Sequence, residues 1–224
     1  QYFVCGGNKM LKKLKLFFVK PTELFRDYIE KPVWALKLFV IALVIGLYTY
    51  GTKILGEDLF IEMMEEKAAA MPPEQAEALR PSIAFMNTPM MSLISAAVAA
   101  ISTVAIILLI ALVYKAFIRA LKGEIKYKQV LAVYTLAYMA SIVGMAVKFA
   151  YMYFTGNLLY LDLSPTFKDV LLNNLDPFVI WQSILMVFGI SAVSGIPEKK
   201  SIIIVAVMWL VALAISFGSV MLAN

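Results

Sequence analysis

Five times between Val33 and Leu222 the chain runs through about twenty or more residues nearly free of charge, and this repetition constrains the fold more than any other feature. The runs cover about 33–55, 88–120, 128–155, 177–195 and 201–222. A hydrocarbon core of ~30 Å takes ~20 helical residues, and only a helix or a closed barrel satisfies its own backbone there. The expected fold is therefore all-α: a polytopic membrane protein, a five-helix transmembrane bundle with short amphipathic interfacial helices. Composition agrees, since 62% of the 224 residues are hydrophobic and only 16% are charged, against roughly half apolar for a soluble domain.

Each run carries the punctuation of a membrane helix. Pro32 precedes the first, with Trp34, Tyr48 and Tyr50 near its ends as interface anchors. The second opens at Thr88-Pro89 and, reaching Ala120, is longer than the core requires, so it tilts or projects into water. Asp176-Pro177 opens the fourth as N-cap and first helical residue, and Gly195-Ile196-Pro197 closes it. The fifth follows so soon that the last two spans must form an antiparallel hairpin.

Residues 1–31 read as a cytoplasmic N-terminal tail and an interfacial helix, and 32–224 as the five-span domain. Met10 is the expected natural start. Pro21 can begin a short helix that sets Leu24, Phe25, Tyr28 and Ile29 on one side, and the lysines around it suit a membrane surface. Two connections are long. Gly56 to Pro81 holds Leu59, Phe60, Met63 and Met64 at helical spacing, so a surface helix is expected before Pro72-Pro73 breaks it. Gly156 to Leu175 places Phe167, Val170 and Leu171 on one face after Ser164-Pro165, again a short amphipathic helix.

Charge sets the expected orientation. Lys12, Lys13, Lys15, Lys20, Arg26 and Lys31 precede the first span; Lys115, Arg119, Lys122, Lys126 and Lys128 surround the turn between the second and third; Lys199 and Lys200 join the fourth to the fifth. The other two connections carry Glu57, Asp58, Glu62, Glu65, Glu66, Glu74 and Glu77, then Asp162 and Asp169. Positive loops stay inside, which predicts a multi-pass cell-membrane protein with a cytoplasmic N-terminus and Asn224 outside. The net charge of +5 thus points to anionic headgroups at the cytoplasmic face and not to nucleic acid.

Chemistry-bearing residues are sparse. There is no histidine and one cysteine, Cys5, so neither a metal cluster nor an internal disulfide is expected. The thirteen methionines lack His or Cys support and read as apolar filling. No phosphate loop, nucleophile elbow or paired-carboxylate motif is present, so no catalytic residue and no cofactor are assigned and an enzyme is not expected. The exception to a bland interior is the third span. At 100° per residue Tyr127, Tyr134, Tyr138, Ser141, Met145, Lys148 and Met152 share one arc. A lysine inside a span is costly unless it is paired or snorkels, and Asp176 is its expected partner. Lys148, Tyr134, Tyr138, Ser141 and Asp176 are thus the candidate intramembrane site. Lys12, Lys13, Lys15, Lys20, Arg26, Lys31, Lys122, Lys126 and Lys128 are the candidate surface for lipid or a partner. Small residues four apart, such as Ser92, Ala96 and Ala100, or Ala214 and Gly218, let helices approach closely. They read as intramolecular packing before a homo-oligomer seam.

The run Lys20-Pro21-Thr22-Glu23-Leu24-Phe25, with Glu30-Lys31-Pro32-Val33-Trp34 at the membrane edge, resembles the opening of bacterial members of the Yip (Ypt/Rab-interacting protein) domain family. Leu175-Asp176-Pro177-Phe178-Val179-Ile180-Trp181-Gln182, followed by the Ile196 to Lys200 turn, is similar to the family's Asp-x-Phe-x-x-Trp segment and basic hairpin. The resemblance extends from Met10 onward. It implies a five-helix domain with a cytoplasmic N-terminus, here in a bacterial inner membrane. Eukaryotic relatives are linked to Rab GTPases, but their Asp-Leu-Tyr-Gly-Pro signature does not occur in this sequence. The function expected is a non-enzymatic membrane scaffold or adaptor binding lipid or protein partners. The alternative is a small-solute or ion transporter, or a permease-like subunit, using the polar face of the third span.

Overall fold

A computed structural model describes residues 16–17, 19–157 and 166–223. Cys5, Lys12, Lys13, Lys15, Asp162 and the Ser164-Pro165 step lie outside the described residues. The described helices are α1 (Pro21–Arg26), α2 (Ala35–Leu55), α3 (Glu57–Ala69), α4 (Pro73–Met86), α5 (Pro89–Ala120), α6 (Tyr127–Thr155), α7 (Phe167–Asn174), α8 (Pro177–Ser194) and α9 (Glu198–Ala223), with no strand among these residues. Five of them, α2, α5, α6, α8 and α9, are long and apolar enough to cross a membrane. Their large side chains stay open on one side, as with Ile101 at 70% exposed and Leu109 at 62%, a display a water-soluble surface does not carry at such density.

The chain forms two compact units. One takes the chain up to Leu38, Ile106–Ser141 and Thr166 onward; the other takes Phe39–Ala105 and Ile142–Pro165. Both α5 and α6 contribute to each.

In the first unit α1 packs on α8, α8 on α9, and α7 on α9. The approach of α1 depends on Gly189. A β-carbon there would collide with Val133 Cγ1 of α6 and lie 3.1 and 3.2 Å from the Phe25 ring. Phe25 is fully buried and Leu24 nearly so, while Ile29 stays open. Of the apolar side read from the sequence, Leu24 and Phe25 are thus packed on protein while Ile29 remains open. The ends of α8 follow local rules: the Asp176 carboxylate accepts from the Phe178 N–H at 2.7 Å, and Gly195 takes the left-handed conformation that ends the helix. Helix α7 begins at Thr166, whose hydroxyl and Asp169 form a reciprocal capping box. Its Phe167 ring meets Phe217 of α9 at 5.6 Å.

In the second unit Gly46 lies against Ala96 and Ala100, the Ala96 carbonyl 3.5 Å from where a β-carbon would stand. That ridge of small residues is internal packing. Tyr48 meets Phe149 edge-on at 6.3 Å. The connection after α2 holds the expected helix before Pro72-Pro73 as α3, and adds a second, α4, packed against it. Pro72 and Pro73 do break the chain, but Pro73 then starts a helix and Pro81 sits inside it. The carbonyl that Pro81 cannot engage belongs to exposed Glu77, so the lost backbone bond falls on the surface of the helix. Lys53 donates to the Met86 carbonyl at 2.8 Å and holds the end of α4.

Candidate functional site

The polar arc of α6 divides between the two units, with Tyr127, Tyr134, Tyr138 and Ser141 in the first. Within the first unit Tyr134 is buried between two tyrosines, its ring 6.0 Å from Tyr114 of α5 and 6.0 Å from Tyr138 one turn on. Ser141, at the end of that row, bonds to the Gln182 side chain of α8. Tyr127 donates to the Leu108 carbonyl at 2.8 Å, and Lys115 lies 5.9 Å over its ring. Three helices are thereby joined through hydroxyl, amide and aromatic contacts, which serve as adhesive in an apolar medium. Gln182 and Tyr114 were missed from sequence. Gln182 carried a usable signal, a full amide in an otherwise apolar span; Tyr114 carried none, since its partner comes from another helix.

Lys148 belongs to the second unit, where it is half-buried, and the Asp176 carboxylate serves as the cap of α8. Among the described residues no three His, Cys, Asp or Glu side chains gather as a metal site requires.

The basic residues form the more extended feature. Lys20, Arg26, Lys31, Lys122, Lys126 and Lys128 are all exposed and all belong to the first unit. Lys20 pairs with Glu23 at 3.1 Å, a surface bond of little energetic weight. Hydrogen bonds tie the segments that carry the others. Gln129, buried at the start of α6, accepts from the Lys126 N–H at 2.7 Å and donates to the Ile29 carbonyl at 2.8 Å, clasping the N-terminal segment to the α5–α6 turn. The same turn reaches the α8–α9 hairpin, where Glu124 N–H donates to the Ser194 carbonyl and Lys200 Nζ to the Leu121 carbonyl, each at 3.3 Å. Three basic segments far apart in sequence are thus one physical end of the first unit.

Lys122 stands out within that end. It is the one non-glycine residue with positive φ, 65°, among the described residues. The Gly123 N–H bonds the Ile118 carbonyl and the Lys122 N–H the Arg119 carbonyl, both at 2.9 Å, which is the Schellman closure of α5 with lysine where glycine is usual. A side chain there costs about 1 kcal/mol. Just below the hairpin, Ile180, Ile184 and Val187 of α8 and Ile202, Ala206 and Trp209 of α9 line a groove of about 340 Å³.

The helices, their lipid-type exposed faces and the lack of a strand among the described residues define an all-α, polytopic membrane protein. Its family follows from a direct comparison: the Yip1 domain model matches residues 15–220, and the chain belongs to that family. No curated protein and no solved structure matches the chain.

Proposed function

We propose that this protein is a non-enzymatic membrane scaffold whose joined basic end binds the anionic headgroups of a bacterial cell membrane from the cytoplasmic side. The observation that carries the reading is the tying of three separate basic segments into one end through Gln129, Glu124 and Lys200. By the positive-inside rule that end faces the cytoplasm, which leaves the acidic α3–α4 pair and the C-terminus outside. Lys122 supports the same reading. Backbone strain kept at an exposed charge is a feature of sites with a task.

Each lysine beside an anionic leaflet contributes about 1 kcal/mol at modest ionic strength. The triple variant Lys122→Gln, Lys126→Gln, Lys128→Gln therefore forfeits up to about 3 kcal/mol of headgroup attraction. The measurement is the ratio of phosphatidylglycerol to phosphatidylcholine retained around the full chain when it is extracted into polymer nanodiscs from vesicles containing both equally. The wild type should enrich phosphatidylglycerol, the enrichment should fall with added salt, and the triple variant should lose it. Lys122→Gly separates binding from folding, because it relieves the left-handed strain while removing a charge. It should raise thermal stability and lower enrichment together. Equal retention of the two lipids by wild type and variants would refute the proposal.

A further inference from the structure

The groove between α8 and α9 is apolar along its length except for Ser183 of the α8 wall, whose hydroxyl donates to the Val179 carbonyl at 3.0 Å, and it lies within two helices of membrane-spanning character. Its α9 wall continues to a cation. Lys199, Ile202, Ala206 and Trp209 follow one another at i, i+3, i+7 and i+10, a single stripe of the helix. From Ile202 to Trp209 that stripe rises about 10 Å. Lys199 is exposed at its head, and Lys200, bonded to the Leu121 carbonyl, brings the α5–α6 turn with Lys122 to the same end. Ile180, Ile184 and Ile202 are each more than a third exposed, so the trough is open along its side to whatever fills the bilayer. Glu198 and Glu124 are exposed at this end too, but Lys199, Lys200 and Lys122 leave it net positive, and an apolar trough with a net positive head and no charge along its walls matches an amphiphile that has an anionic head and a hydrocarbon tail.

We infer that the α8–α9 hairpin holds one anionic phospholipid, with an acyl chain in the groove and its phosphate at Lys199. This deepens the proposed headgroup-binding role and rests on it for the placing of the hairpin at the headgroup level. It adds a discrete, stoichiometric site to a diffuse attraction, and it makes the tail part of recognition. Ala206 is exposed on the groove wall, so a larger residue there fills the groove without entering the protein core.

Native mass spectrometry of the full chain in mild detergent tests the site, with phosphatidylglycerol, phosphatidylcholine and inorganic phosphate as separate probes. The wild type should retain one phosphatidylglycerol in preference to phosphatidylcholine, and millimolar inorganic phosphate should not displace it. Ala206→Phe should lower that retention at least tenfold, as should Ser183→Phe from the opposite wall. Lys199→Gln should reduce the preference for phosphatidylglycerol about fivefold, the factor one lysine carries beside an anionic headgroup. Helical content and melting temperature of each variant confirm folding. Retention unchanged in both groove-filling variants overturns the inference, as does equal retention of the two lipids. If the triple lysine variant loses enrichment in nanodiscs while Ala206→Phe keeps its bound lipid, the scaffold reading stands and the groove site falls. If Ala206→Phe loses the lipid while the triple variant keeps enrichment, the groove site stands and the scaffold reading falls.

Discussion

Replacing Gly189 by alanine tests how α1 is held. The added methyl would run into Val133 Cγ1 and press on the Phe25 ring at 3.1 and 3.2 Å. Val133 and Phe25 are both fully buried, so neither has free space to retreat into. Overpacking of this kind costs about 1–3 kcal/mol. Alanine in place of a mid-helix glycine returns about 0.5–1 kcal/mol. The balance spans about 0 to 2.5 kcal/mol of loss, and with two fully buried neighbours it falls towards the larger end, a few degrees in the melting temperature of a protein this size. Two assays report it. Thermal unfolding in detergent gives the size, and tryptic cleavage at exposed Arg26 shows whether α1 has been pushed off α8. Val133→Ala alone also destabilises by leaving a void, yet combined with Gly189→Ala it restores the fit. The double variant should therefore be more stable than either single one. If Gly189→Ala melts with or above the wild type and cleaves at the same rate, the close approach of α1, α6 and α8 is refuted.

Two further outcomes are expected. Ser201 of α9 is fully buried, and its hydroxyl has no hydrogen-bond partner among the described residues, so Ser201→Ala should raise stability by about 1 kcal/mol in the same thermal assay, and a fall would show a hidden partner. Tyr28, just after α1, has its phenol pushed up to about 12 from an ordinary 10.0 by burial first and the Asp27 carboxylate second. The folded state thus holds that proton longer than the unfolded one. The resulting stabilisation is whole below pH 10 and is lost as the pH climbs towards 12. Subtracting the ultraviolet phenolate titration of Tyr28→Phe from that of the wild type should leave a step near pH 12, and a step near 10 would contradict the burial.

The spans were readable because a bilayer imposes length and apolarity on each helix separately, with no knowledge of neighbours required. The start of α8 was readable for a similar reason: Asp176 and Pro177 act on their own first turn. The start of α7 was placed close by, but its cap is Thr166, because the reciprocal bond with Asp169 fixes the frame. The course of α4 through Pro81 was not visible, since a lost backbone bond on an exposed face costs less than the breaker rule assumes. Partnerships were hardest to read. Periodicity put Tyr134, Tyr138 and Ser141 on one face, but nothing in it named Tyr114 or Gln182 as what they meet. The amphipathic side of α1 was recognised, whereas the seating of Phe25 against Gly189 depends on a missing side chain far along the chain.

The hairpin at Gly195, Ile196 and Pro197 also bears on how the chain lies in a membrane. Only these residues separate α8 from α9, and the Ser191 hydroxyl bonds the Ile196 carbonyl at 3.0 Å across them. So short a turn leaves no room for any other element between the two helix ends, so wherever α8 lies in the bilayer α9 must run back beside it.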